Sequence, residues 1–371
     1  MKKIIKYFVF AFCVFIVFSC KNKKEEGYHI YGKINGLENT KISLVEIQKE
    51  GTVLIDETIL KNGKFEFKGE TDAPFFAGLA LADQKPFVNF FVLNEEIYIE
   101  GQNNINESYK VYGSEENDLY FGFMSKLDSL VDYQKLLYTY YQDAQLKKDV
   151  EKMAIIQEKY DATEENIKST IINFGYENNN SIVTPFIVHR FSYLVSDEIL
   201  AIFDNFGSNA RVGYAYESLE QYVDRYKKVQ IGNKFSDFSM QTSNGKIESL
   251  SDYINGNYSI LVFWASWCAA CSVDCPIFVD IYNKYKKYGL EVIGISLDNN
   301  LEEMLEGIRR YNLNFVQFSD LKSWQSEAAE LYCVKSLAFN YLIDPNGIII
   351  GRQMSLPDLE NLLDSVYLKK N

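Results

Sequence analysis

Histidine is almost missing from this chain. His29 and His189 are the two in 371 residues, so a histidine-based metal site has little to draw on. Cysteine is scarce too: Cys13 and Cys20 lie at the start, and the other four, Cys268, Cys271, Cys275 and Cys333, fall in the last third. A disulfide framework would spread its cysteines through the fold, so none is expected. Zinc on the four late cysteines would lack a second paired knuckle, because there is a single Cys-x-x-Cys. Positive charge is in deficit, with a formal net charge of −13 that loses Lys2, Lys3 and Lys6 once a leader is removed. That balance argues against nucleic acid as a partner. The middle of the chain has no repeat, low-complexity tract or phosphate-binding loop.

What is present should fold. The chain is 47% hydrophobic and 15% aromatic, well above disordered compositions, and its length suggests two or three units. Residues 1–19 have a basic start and an apolar run from Tyr7 to Phe18, about the length of a signal-peptide core and short of the roughly 18 residues a membrane-spanning helix wants. Val17-Phe18-Ser19-Cys20 resembles a bacterial lipobox, which implies cleavage before Cys20, a lipid on it, and a cell-envelope protein facing the periplasm or the cell surface. An uncleaved anchor is the alternative, and it too leaves the rest outside the cytoplasm. Residues 20–27 then form a lipidated tether, charged from Lys21 to Glu26.

Residues 28–112 read as β structure. Phe65 and Phe67 alternate with Lys64, Glu66 and Lys68, and glycines punctuate the runs. A small antiparallel sandwich is the expected architecture, with His29 an ordinary surface residue on the outer side of the first strand. Residues 113–229 read as helical. Ser114 before Glu115 and Glu116 makes a helix start, and Leu119, Phe123, Leu127 and Leu130 recur at steps of three and four. Its tyrosine stripes and His189 read as core, and the region as a spacer or dimerisation segment.

From residue 230 to 371, strands and helices alternate. Ile260 to Trp264 is a continuous apolar strand, and a helical pattern starts near Ala269. Trp264-Ala265-Ser266-Trp267-Cys268-Ala269-Ala270-Cys271 therefore puts two cysteines a turn apart where a strand gives way to a helix. Unpaired N–H groups and the positive end of the helix dipole there favour thiolate over thiol. Tyr341 to Asp344 and Ile348 to Ile350 form a hairpin around Pro345-Asn346-Gly347, ahead of a last helix from Pro357 to Tyr367.

This region resembles the TlpA/ResA-like thioredoxin family of the AhpC/TSA and redoxin group. The likeness rests on Ile231-Gly232, Phe235-Ser236-Asp237-Phe238, Leu250-Ser251-Asp252, Phe263 to Cys268 with Cys271, Asp274, Pro276, and Leu342 to Gly347. More weakly, Tyr28 to Ile34 with Gly36-Leu37 resembles the β domain that precedes such domains in lipoproteins. The resemblance implies a C-terminal α/β thioredoxin-like fold and thiol-disulfide exchange, with a mixed disulfide on Cys268 that Cys271 resolves. It also implies protein disulfide substrates and a membrane dithiol as electron donor. No cofactor is expected.

Trp267 would offer the substrate a flat apolar surface, unless it is core. Asp274 stands where the family has a glutamate in C-x-x-E-x-P and would take the Cys271 proton, unless it is a solvated helix residue. Cys275 and Cys333 read as small core side chains, with an extra redox thiol as the minority reading for each. The departure is at Leu337 and Ala338, the substrate-facing loop, where the family's cis-proline would occupy position 338. A cis bond before a residue other than proline costs about 2.5–4 kcal/mol, so Ser336-Leu337-Ala338 is expected to run trans or to reshape the loop. That motivates an alternative reading as a binding or scaffold lipoprotein with lost turnover. A peroxidase is disfavoured, since Leu261 and Ala265 stand where its proline and threonine would be.

Overall fold

The computed structural model describes residues 27–368 except 38, 50, 82–84, 103–108 and 255. The leader, Cys20 and the tether up to residue 26 lie outside the described residues. No helix among those described is long and apolar enough to cross a membrane.

The chain opens with β1 (Tyr28–Asn35), β2 (Lys41–Gln48), β3 (Gly51–Ile59), β4 (Lys64–Gly69), β5 (Phe75–Leu81), β6 (Val88–Val92), β7 (Glu96–Gln102) and β8 (Lys110–Tyr112). They form two four-stranded sheets, β4-β1-β7-β8 and β3-β2-β5-β6. Alternation sorts the side chains: on β4, Phe65 and Phe67 are buried while Lys64, Glu66 and Lys68 face water. Ile30, Ile42, Leu44, Leu79, Phe90 and Ile99 fill the space between the sheets. Two expectations are corrected. The sandwich is not wholly antiparallel, because β1 and β7 pair in parallel from His29↔Glu96 to Asn35↔Gln102. The chain between them runs through the second sheet and returns to the same end, which only a long crossover allows. His29 is buried, since the Tyr31 hydroxyl and the Glu66 carboxylate close over its ring.

Next come α1 (Glu115–Leu146), α2 (Val150–Glu177), α3 (Val183–Arg190), α4 (Ile199–Asp204) and α5 (Gly213–Lys228). Ser114 caps α1 by accepting from the Asn117 N–H. Phe123, Leu127, Ile171 and Phe174 then pack with Phe76 and Phe91 of the second sheet. Beyond that contact α1 and α2 share a narrow strip around Leu137, Ala144 and Ile156. The strip is too narrow to cover Tyr133, Tyr138 and Tyr140, which are exposed, so the reading of the tyrosine stripes as core holds for Tyr120 and fails for these three.

The C-terminal part holds β9 (Ser239–Gln241), β10 (Ile247–Ser249), β11 (Ser259–Trp264), α6 (Cys271–Tyr285), β12 (Glu291–Ser296), α7 (Leu301–Tyr311), β13 (Val316–Phe318), α8 (Glu327–Leu331), β14 (Phe339–Ile343), β15 (Ile349–Arg352) and α9 (Leu356–Tyr367). Its five-stranded sheet has the order β13-β12-β11-β14-β15. β11 lies between parallel β12 and antiparallel β14 and is buried at every position, which is why it reads as an unbroken apolar run. Asp344 shapes the β14–β15 turn by accepting from the N–H groups of Asn346 and Ile348, at 2.9 and 2.8 Å. The apolar core of this domain continues into α5: Leu219, Tyr222, Val223 and Tyr226 share it with Phe263, Tyr332 and Tyr341. Arg352 stacks 4.4 Å from the centre of the Tyr226 ring and donates to its hydroxyl at 2.5 Å.

Candidate active site

β11 ends at Trp264 and α6 starts at Cys271, so the six residues between them form a short turn at the carboxyl end of the sheet. Cys268 and Cys271 are joined there in a disulfide, with Cα atoms 5.2 Å apart. The Cys271 N–H points at Cys268 Sγ, 3.1 Å away. That donor belongs to the first turn of α6, so it would favour a thiolate on Cys268. Cys268 keeps 8% of its surface and Cys271 none, which makes Cys268 the sulfur a partner can reach. Next to it Trp267 is half exposed, and its ring centre is 6.1 Å from that of Trp324. A core role for Trp267 is thereby excluded.

A buried carboxylate holds the turn from behind. Asp298 accepts from the Ser266 N–H at 3.1 Å, the Ser266 hydroxyl at 2.6 Å and the Ser296 hydroxyl at 2.8 Å. The parallel register explains the meeting: Trp264 pairs with Ser296, so the residues just past each strand are neighbours. Sequence reasoning passed over Asp298, although an acidic residue directly after the buried run Val292 to Leu297 was the available signal. It also passed over Trp324 as a neighbour of Trp267.

Asp274 lies on the first turn of α6, half buried, and desolvation holds its carboxyl above the usual range. A raised carboxyl pKa suits a group meant to take up and give back a proton. Burial, and then the Asp274 charge, push the Cys275 thiol up to about 12, and burial pushes Cys333 up to about 11. Both are buried free thiols. Leu337 and Ala338 are half buried against the domain core. Phe263 pairs with Phe339, so Ala338 stands beside the strand end that carries the dithiol. The Leu337–Ala338 peptide is cis, which corrects the trans expectation. That expectation weighed the bond alone, whereas here both residues pack on the core and Phe339 is pinned into the sheet. Among the described residues no group of three or more His, Cys, Asp or Glu side chains is placed to hold a metal.

The domain model of the AhpC/TSA family matches residues 231–352. The thiol-disulfide oxidoreductase ResA of Bacillus cereus is 30% identical over 149 residues, which cover 40% of this chain and 83% of that one. This chain belongs to the ResA-like thiol-disulfide oxidoreductases. ResA of Oceanobacillus iheyensis is 29% identical over 155 residues, 40% of this chain and 79% of its own length. A solved thiol-disulfide oxidoreductase from Bacteroides fragilis is 29% identical and covers 36% of this chain and 99% of its own, with a TM-score of 0.35. Residues 28–120 match a domain of unknown function, DUF4369. The AhpC/TSA match thus coincides with the five-stranded sheet and its dithiol, and the sandwich and the helices α1 and α2 lie ahead of it.

Proposed function

We propose that this oxidoreductase works outside the cytoplasm as a disulfide reductase, tethered through a lipid on Cys20 and facing the periplasm or the cell surface. The Cys268–Cys271 pair at the start of α6, with its more exposed sulfur on Cys268, carries the reading. In the reduced enzyme, the Cys268 thiolate attacks a substrate disulfide, forms a mixed disulfide and releases one substrate thiolate. Cys271, its proton passed to Asp274, attacks Cys268 Sγ and breaks the mixed disulfide. The second substrate thiol leaves, and two electrons have moved from the dithiol to the substrate. A membrane dithiol donor restores Cys268 and Cys271 as thiols. Trp267, Leu337 and Ala338 supply the surface on which the substrate segment lies.

Trapping tests this. In cells carrying Cys271→Ser, adducts on Cys268 should accumulate on non-reducing gels and disappear with Cys268→Ser. In growing wild-type cells, the pair should be found mainly as thiols. An absence of adducts under oxidising growth would favour the scaffold reading, and a pair found only as the disulfide would make the enzyme an oxidant.

A further inference from the structure

Where the sandwich, α3, α5 and the segment around α8 meet, the fold leaves a cleft of about 830 Å³. That is within the range of roughly 300–1,000 Å³ typical of small-molecule sites. Phe76, Phe91 and Phe186 give it an apolar wall whose rings pack on one another at 4.3 to 5.6 Å. The charged part of the lining is mainly cationic: Arg190, Arg225, Lys335 and Lys49 outnumber Glu217 and Glu330. Lys49 is paired with Glu330. On a chain of net charge −13 this is a local reversal of sign.

Two polar atoms in the lining are buried without a hydrogen-bond partner, Arg225 Nε and Asn89 Oδ1. Unsatisfied buried groups in a folded protein call for a missing partner. A guanidinium offers a planar fork of donors that fits a carboxylate or sulfonate, and the amide oxygen needs an N–H or O–H. His189, on the same wall, is pushed down to about 4 by burial and then by Lys335, Arg225 and Lys49. It stays neutral near pH 7, chiefly because it is buried, with the neighbouring cations acting in the same direction.

We propose that this cleft binds a small organic anion that carries an apolar, preferably aromatic, body and one hydrogen-bond donor. The cations take the charge, the phenylalanines the body, and Asn89 the donor. The site does not depend on thiol exchange. It borders the dithiol, however, because Trp324 lines the cleft and lies against Trp267.

The probe is 8-anilinonaphthalene-1-sulfonate, which has all three features, titrated by fluorescence into the chain from Lys21 onward. Neutral N-phenyl-1-naphthylamine is the control. Saturable binding at one site is expected, at least about tenfold weaker in Arg225→Gln, the loss of a charge-assisted hydrogen bond. It should be weaker by several-fold in Lys335→Gln, while the neutral probe binds poorly and ignores both changes. Near-UV circular dichroism checks folding; if Arg225→Gln is disturbed, Lys335→Gln at the cleft rim carries the test. Sulfonate binding unchanged in both folded variants, or equal binding of the neutral probe, would overturn the proposal. Full displacement by inorganic phosphate with no effect of Phe186→Ala would overturn its apolar half.

Discussion

β11 and β3 are strands in one chain with opposite surroundings. All six residues of β11 are buried, whereas β3, at the edge of the sandwich, is exposed from Gly51 to Glu57. A strand covered on both faces has no side on which to carry polar groups, so they collect at its end. Ser266, Cys268 and Asp298 meet just past β11 and β12, in keeping with the rule that α/β sheets bind ligands at the carboxyl ends of their strands. The sandwich spreads most of its polar residues over outer faces, as on β4, and its buried His29 is closed over by Tyr31 and Glu66 on one such face, away from any strand end that carries the dithiol.

Substitutions can break this contrast. Phe263→Ala, in the middle of the covered sheet, is expected to cost about 3–5 kcal/mol of stability in urea unfolding. A loss below about 1 kcal/mol would mean that β11 is less tightly held than its burial indicates. Asp298→Asn should cost less, about 1–3 kcal/mol, because an amide cannot accept from Ser266 and Ser296 as a carboxylate does. It should also slow disulfide reduction by several-fold and shift the dithiol's potential. An unchanged potential would reduce Asp298 to a folding role. Leu54→Lys on β3 should change stability by no more than about 0.5 kcal/mol and leave the rate alone. A large effect there would show that the edge strand is covered in solution.

Legibility in the sequence follows the same contrast. The run Ile260 to Trp264, the Cys-x-x-Cys behind it and the Asn346-Gly347 turn each announce themselves through local chemistry, and the structure places them as read. The cap at Ser114 is equally local. What stayed hidden depends on residues far apart in the chain. Asp298 gains its role only because Trp264 pairs with Ser296. The parallel pairing of β1 with β7 depends on a crossover of some sixty residues. The exposure of Tyr133, Tyr138 and Tyr140 depends on where the sandwich stops supporting α1. The cleft is built from stretches as far apart in the chain as Ile47 and Lys335, and no single one of them signals it.

The shared core of α5 and the C-terminal sheet has a mechanical consequence. Tyr222 and Tyr226 project from α5 beneath Lys335 and Arg352, so the redox domain and the helix ahead of it form a single casting rather than a head on a hinge. The rigid unit behind Cys268 thus includes α5 as well as the five-stranded sheet. The turn that carries Cys268 therefore moves with α5 as one piece.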